Sequence, residues 1–263
     1  MPRQLSQSLR LAVALLLPGL LLLASPATMA QSPTITPPAS EPHFVGGPDS
    51  LRALLGRVQR QASPALKGQV FLVLELNKNG APAKTSLLRP TAATDLALAN
   101  TEEIRTISDK LGSQLTPWQL DPAVVSSADK YALTVILPLT FGPAAEPRLL
   151  LYSDEKPVFP LPTGFKPYRS NPASYTLRDF LQRQFRYPAI DLRNQVEGTV
   201  YAYFEVSETG AVENRRVVGS LSPTIDAEVL RTLNTIPNAT TPPRQQGRPV
   251  RVAYVVPVNL RIQ

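Results

Sequence analysis

Gly68-Gln69-Val70-Phe71-Leu72-Val73-Leu74-Glu75-Leu76 is matched 130 positions later by Gly198-Thr199-Val200-Tyr201-Ala202-Tyr203-Phe204-Glu205-Val206. Both runs are rich in the β-branched and aromatic residues that suit a pleated, half-buried surface. Each leads into a polar tetrapeptide ending in glycine, Asn77-Lys78-Asn79-Gly80 and Ser207-Glu208-Thr209-Gly210. Glycine enters positive φ without a Cβ penalty, so this is the composition of a tight hairpin. A return strand follows in each case, Ala83 to Leu88 and Val212 to Val218. A hairpin that recurs at a constant offset is the signature of a repeated supersecondary unit.

The repeat extends outward. Upstream, Ser50-Leu51-Arg52-Ala53-Leu54-Leu55-Gly56-Arg57-Val58-Gln59-Arg60 lines up with Thr176-Leu177-Arg178-Asp179-Phe180-Leu181-Gln182-Arg183-Gln184-Phe185-Arg186, with five of the eleven positions identical. Both stretches place apolar groups at helical spacing, and Ser50 and Thr176 stand where a helix N-cap is expected. Downstream, helices are predicted over 101–115 and 224–235, with Glu102, Glu103, Asp226 and Glu228 near their starts, where acids suit the helix dipole. A final strand closes each unit, Tyr131 to Leu139 and Val252 to Leu260, and each contains a proline, Pro138 and Pro257. Proline cannot donate to a ladder, so both strands are expected at a sheet edge. Each unit reads helix, strand, strand, helix, strand. The fold class is therefore α+β, with two tandem domains, each a three-stranded antiparallel sheet packed with helices.

The expected organisation is a signal peptide over 1–30, a proline-bearing disordered linker over 31–40, a domain over 41–141, a proline-rich linker over 142–172 and a second domain over 173–263. The leader has Arg3 and Arg10 in its n-region, a 14-residue apolar run from Leu11 to Ala24, and Ala30 at the cleavage point. That layout is secretory. A spanning helix needs roughly 20 apolar residues, and Pro18-Gly19 interrupts this run, so cleavage is expected, with an uncleaved inner-membrane anchor as the alternative. The chain carries a formal charge of +7, and without Arg3 and Arg10 it has 25 basic against 20 acidic residues. No block of like charges occurs, which describes a solvated basic face and no nucleic-acid partner. Cysteine is absent, which excludes disulfides, thiolate chemistry and a lipidated N-terminus.

A series of landmarks in the second unit points to a family. They are Tyr187-Pro188-Ala189, Val196-Glu197-Gly198-Thr199-Val200, Glu208-Thr209-Gly210-Ala211-Val212, Ile225-Asp226-Ala227-Glu228-Val229-Leu230, Pro237, Gly247-Arg248-Pro249-Val250, and Tyr254 with Pro257-Val258. In order and spacing, residues 175–263 resemble the C-terminal domain of the TonB energy transducers. The first unit resembles it more distantly, through Glu41-Pro42-His43-Phe44-Val45-Gly46-Gly47 and the hairpin, but lacks the Tyr-Pro and Gly-x-Pro-Val segments. The resemblance implies a periplasmic module that binds an extended segment of an outer-membrane TonB-dependent receptor, or of another envelope protein. In full family members an N-terminal membrane helix couples that contact to a proton-driven complex. The family's glutamine three residues before the Tyr-Pro tyrosine falls on Gln184, with Arg186 beside Tyr187, while Phe185 stands where the family has proline.

The expected binding surface is the edge of the last strand, through Arg251, Ala253, Val255, Pro257 and Asn259, with Gln184, Arg186 and Tyr187 as a second contact. Strand addition at such an edge draws affinity from main-chain hydrogen bonds. The alternative is a structural envelope protein that pairs its own edges into a homodimer. His43, the only histidine, lies in a lead-in loop, and no phosphate loop or metal-spaced cluster occurs. Neither catalysis nor a cofactor is expected. Trp118 reads as helix-to-loop packing, with an exposed interface anchor as its alternative. Of the Tyr201/Tyr203 and Val200/Ala202 sets, one is expected to face the helices and the other water or a partner. Intact-mass measurement on envelope fractions is expected to find a chain beginning at Gln31; a membrane-bound species retaining residues 1–30 would refute cleavage.

Overall fold

A computed structural model of the chain describes residues 34–37, 41–88, 101–115, 118–126, 133–142, 149–165 and 174–262. The expected leader lies outside them, as do Tyr131 and Ala132. Residues Ser32–Gln263 form one compact unit. The elements in chain order are β1 (Thr34–Thr36), β2 (His43–Phe44), α1 (Gly47–Gln61), β3 (Gly68–Leu76), β4 (Pro82–Leu87), α2 (Glu102–Gln114), β5 (Trp118–Gln119), α3 (Pro122–Val125), β6 (Thr134–Phe141) and β7 (Leu149–Leu150). They continue with β8 (Phe159–Pro160), β9 (Ser174–Thr176), α4 (Leu177–Gln184), α5 (Ala189–Arg193), β10 (Gly198–Val206), β11 (Val212–Gly219), α6 (Pro223–Leu233), β12 (Arg244–Gln245), β13 (Arg248–Pro249) and β14 (Arg251–Leu260).

The helix starts follow local chemistry, with one correction. Thr176 caps α4 in a full capping box with Asp179, Thr101 accepts from Ile104 N–H, and Ser222 accepts from Ile225 N–H. Ser50 does not cap α1. That helix begins three residues earlier at Gly47, behind a left-handed Gly46 and with Pro48 in its first turn. Proline lacks the N–H that a first turn leaves unused, so the Gly-Gly-Pro sequence starts the helix without a side-chain cap.

The two hairpins are closed by the same bonds. Asn77 Oδ1 accepts from the Asn79 and Ala81 N–H groups, and Ser207 Oγ accepts from those of Thr209 and Ala211. The turn glycines have φ of +77° and +85°, and each carbonyl accepts from the segment after the second helix, from Trp118 and from Ala239. A Cβ at Gly80 would lie 1.9 Å from the Trp118 carbonyl oxygen, and one at Gly210 2.6 Å from that of Ala239. Glycine is thus required for close backbone approach as well as for φ.

β3 is the middle strand of an antiparallel sheet ordered β4-β3-β6, and β10 lies between β11 and β14. Alternation along the strands divides the side chains. Val70, Leu72 and Leu74 join Leu51, Leu55, Ile104 and Leu111 in one core, and Val200, Ala202 and Phe204 join Phe180, Leu181, Ile225 and Val229 in another. The opposite faces meet each other. Phe71, Val73 and Leu88 pack with Tyr203, Val218 and Ala253, flanked by Ile136, Leu149, Leu151, Tyr201 and Val255. The Phe71 and Tyr203 rings meet edge to face at 5.5 Å. The tyrosine set therefore faces the first half of the same chain.

Three expectations are corrected. The second sheet has four strands, because β7 adds in parallel to β14. Residues 31–40 are not a free linker where described: β1 lies between β8 and β9, and Ile35 is fully buried in the second core. The described part of 142–172 is likewise built in. Leu150 and Phe159 enter the second core, Tyr152 enters the first, and main-chain bonds join Glu155 to Arg244 and Val158 to Thr241. These stretches look like linkers because their few apolar residues lack a period, yet Ile35, Leu150, Tyr152 and Phe159 each reach a core.

Trp118, 3% exposed, packs in the first core against Phe44, in agreement with its packing reading. His43 meets the Tyr152 ring edge-on at 4.9 Å, and burial pushes the Tyr152 hydroxyl up to about 12. Phe71→Ala removes an aromatic ring from between the sheets and is expected to cost about 3 kcal/mol, read as a lower urea midpoint for the full chain. A loss within experimental error would mean the layer between the sheets contributes little.

Candidate partner-binding edge

β14 pairs with β10 without interruption, from Val206 opposite Val252 to Gly198 opposite Leu260. In an antiparallel ladder, residues two apart point their main-chain groups the same way. Pro257 has no N–H, so an unbroken ladder seats it, opposite Tyr201, where the main chain turns away from β10. Ala253, Val255 and Asn259 share that parity and aim their N–H and C=O groups at the outer edge. On that edge β7 pairs with Arg251 and Val252. From Ala253 to Leu260, no strand among the described residues pairs with it.

The side chains of the same odd-numbered set are engaged inside the chain. Ala253, 4% exposed, and Val255 lie in the layer between the sheets, and Pro257 is buried. Asn259 Oδ1 accepts from Thr199 Oγ1 at 3.4 Å. Arg251 is held by Glu213 at 2.6 Å, Glu205 at 3.2 Å and Glu208 at 3.7 Å, and Glu213 first among them raises its pKa. Hence the predicted β14 residues face the outer edge through their backbone, while Ala253 and Val255 turn their side chains to the first half of the chain, Arg251 to acidic neighbours and Asn259 to Thr199.

Gln184, Arg186 and Tyr187 form a corner at the end of α4, which packs against β14. The Gln184 carbonyl accepts from Arg231 at 2.8 Å, and the Arg186 N–H donates to Glu228 at 2.8 Å. Glu228 and Arg231 are themselves paired at 2.7 Å, and the arginine holds the Glu228 carboxyl below its ordinary value. Tyr187 donates to the Val196 carbonyl, and its ring stands edge-on to Phe185. Phe185 packs against the second core. Glu228 and Arg231 were missed as organisers of this corner. Their three-residue spacing on a predicted helix was the available signal.

A second polar group supports α6. Asp191, 3% exposed, accepts from Ser222 Oγ at 2.7 Å and from Thr224 Oγ1. Asp226 accepts from Ser220, while its Oδ1 is buried without a hydrogen bond, and burial raises its carboxyl above the ordinary value. Among the described residues, no group of three or more His, Cys, Asp or Glu is placed to hold a metal ion, and no helix is long and apolar enough to cross a membrane.

A family model described as the Gram-negative bacterial TonB protein C-terminal matches residues 183–262. The matched region begins at the Gln184 corner and takes in β10, β11, α6 and β14. No curated protein and no solved structure matches the chain.

A carboxyl whose folded pKa is raised favours the folded state at low pH, and that contribution is lost as pH rises through the raised value. Asp226→Asn is therefore expected to gain stability relative to the parent chain as pH rises from below 3.8, the ordinary aspartate value, to neutral. Urea unfolding across that range measures it; a difference that is flat or shrinks with pH would contradict the burial of this carboxylate.

Proposed function

We propose that this chain is a protein-binding module of the bacterial cell envelope, which takes an extended segment of an outer-membrane transporter along the edge of β14. One observation carries the reading: the region matched by the TonB C-terminal family model ends in a strand whose outward edge, among the described residues, pairs with no strand from Ala253 onward and with β7 at its start. Affinity then comes from main-chain bonds, because the Ala253 and Val255 side chains face the layer between the sheets. Selectivity falls to the α4 corner, where Gln184 is half-buried and Arg186 exposed.

The first half is a divergent copy of the same module. Its strand order and turn bonds parallel those of the second half, yet its outer sheet face is spent on packing against that half. Its role in this reading is to hold the binding domain. Export by the leader places the module in the periplasm, where transporter segments are reachable.

Fluorescence anisotropy with labelled transporter-derived segments and the full chain tests the reading. Gln184→Ala is expected to weaken binding several-fold, about 1 kcal/mol, with an unchanged melting curve. Val255→Pro removes an outward N–H and is expected to abolish binding. Unchanged affinity in both folded variants would rule out the edge.

A further inference from the structure

We propose that Leu149–Leu150 is a displaceable internal strap, which covers the start of the β14 edge in the place a partner strand would take and so limits access to it. The inference rests on the transporter-segment reading for its biological meaning, but the strap itself is a property of this chain.

The geometry separates β7 from the rest of its sheet. β10 and β14 share nine consecutive register pairs, whereas β7 contributes two, Leu149 with Arg251 and Leu150 with Val252. Among the described residues it is the only parallel neighbour in that sheet, and a parallel pair is slightly weaker per residue than an antiparallel one. The strap uses the same outward main-chain positions, beginning at Arg251, that continue through Ala253 and Val255. It therefore displays the type of ligand the edge accepts: an extended, apolar segment running parallel to β14. Leu150 inserts into the second core and is 1% exposed. Leu149 and Leu151 are only half-buried and line an open cleft with Leu51, Leu55 and Pro138.

Beyond the strap the chain is firmly held. The Tyr152 hydroxyl accepts from the Phe44 N–H at 3.0 Å and faces the Phe44 carbonyl at 3.3 Å. Glu155 and Arg244 exchange two main-chain bonds of 3.0 Å each. Lifting the strap can thus pivot before Tyr152; it withdraws Leu150 from the second core and Leu149 and Leu151 from the layer between the sheets, while the nine-pair β10–β14 ladder stays in place. Local opening of such a short, weakly paired element precedes global unfolding.

Because the chain has no cysteine, the double variant Leu149→Cys, Arg251→Cys can form a single disulfide that locks β7 to β14. The probe is a labelled synthetic peptide of residues 147–156, the strap's own sequence, offered to the full-length double variant. Reduced protein is expected to bind it at least about tenfold more tightly than oxidised protein, since a lock removes the open population. In the parent chain, amides of 149–151 are expected to exchange with solvent faster than those paired between β10 and β14. Equal binding by the oxidised and reduced forms, no binding by either, or exchange of 149–151 only at the rate of the β10–β14 ladder would each overturn the strap. If the strap peptide binds the reduced form and transporter-derived segments do not, the strap stands and the transporter reading falls.

Discussion

The layer between the two sheets decides what the rest of this molecule can do. Phe71 and Val73 from one sheet meet Tyr203, Val218 and Ala253 from the other, with Tyr201 and Val255 at the margin. A sheet of this kind has two faces, and helices cover only one of each pair. Left alone, each half would expose an apolar face to water. Packing the two faces together removes both from solvent, and the Arg216 guanidinium closes one side by lying over the Tyr203 ring and bonding to Gln69. Burial and the neighbouring Glu205 carboxylate raise the Tyr203 hydroxyl far above its ordinary value, so it remains a neutral donor to Glu205.

This packing has a consequence for recognition. Because the Ala253 and Val255 side chains are turned into the layer, a segment added along β14 as proposed would meet mainly backbone there. The α4 corner packs against β14, with its geometry set by the Glu228–Arg231 pair, and β7 pairs with the start of the same strand. These pieces come from three separated parts of the sequence and are joined through the second core.

The connecting segments serve the same end. β1, β8 and β9 form a small sheet over the second core, and Glu41 pairs with Lys156 at 2.8 Å, so the chain passes between its halves before and after the first sheet. Proline is compatible with such segments because they are extended and use few ladder bonds. Fully buried apolar residues, Ile35, Leu150 and Phe159, fasten them, each less than 2% exposed.

The sequence by itself determined the local units. The hairpins at Gly80 and Gly210, the capping box at Thr176, the acidic helix starts and the alternation along β3, β10 and β14 are short-range effects, set by φ, hydrogen-bonding groups and side-chain period. The TonB-like landmarks within residues 183–262 were legible because they are short local motifs in fixed order, such as the Glu208–Val212 turn and the Ile225–Leu230 helix segment. What only the tertiary structure decided is which faces meet. Alternation shows that Tyr201 and Tyr203 share a side, but no local rule states that Phe71 lies against it. The apolar run Leu149-Leu150-Leu151-Tyr152 within a proline-rich stretch was a signal for β7, yet its partner strand lies about a hundred residues further along the chain. A register that remote is chosen by burial in the assembled core, because two residue pairs carry too little local preference to specify it.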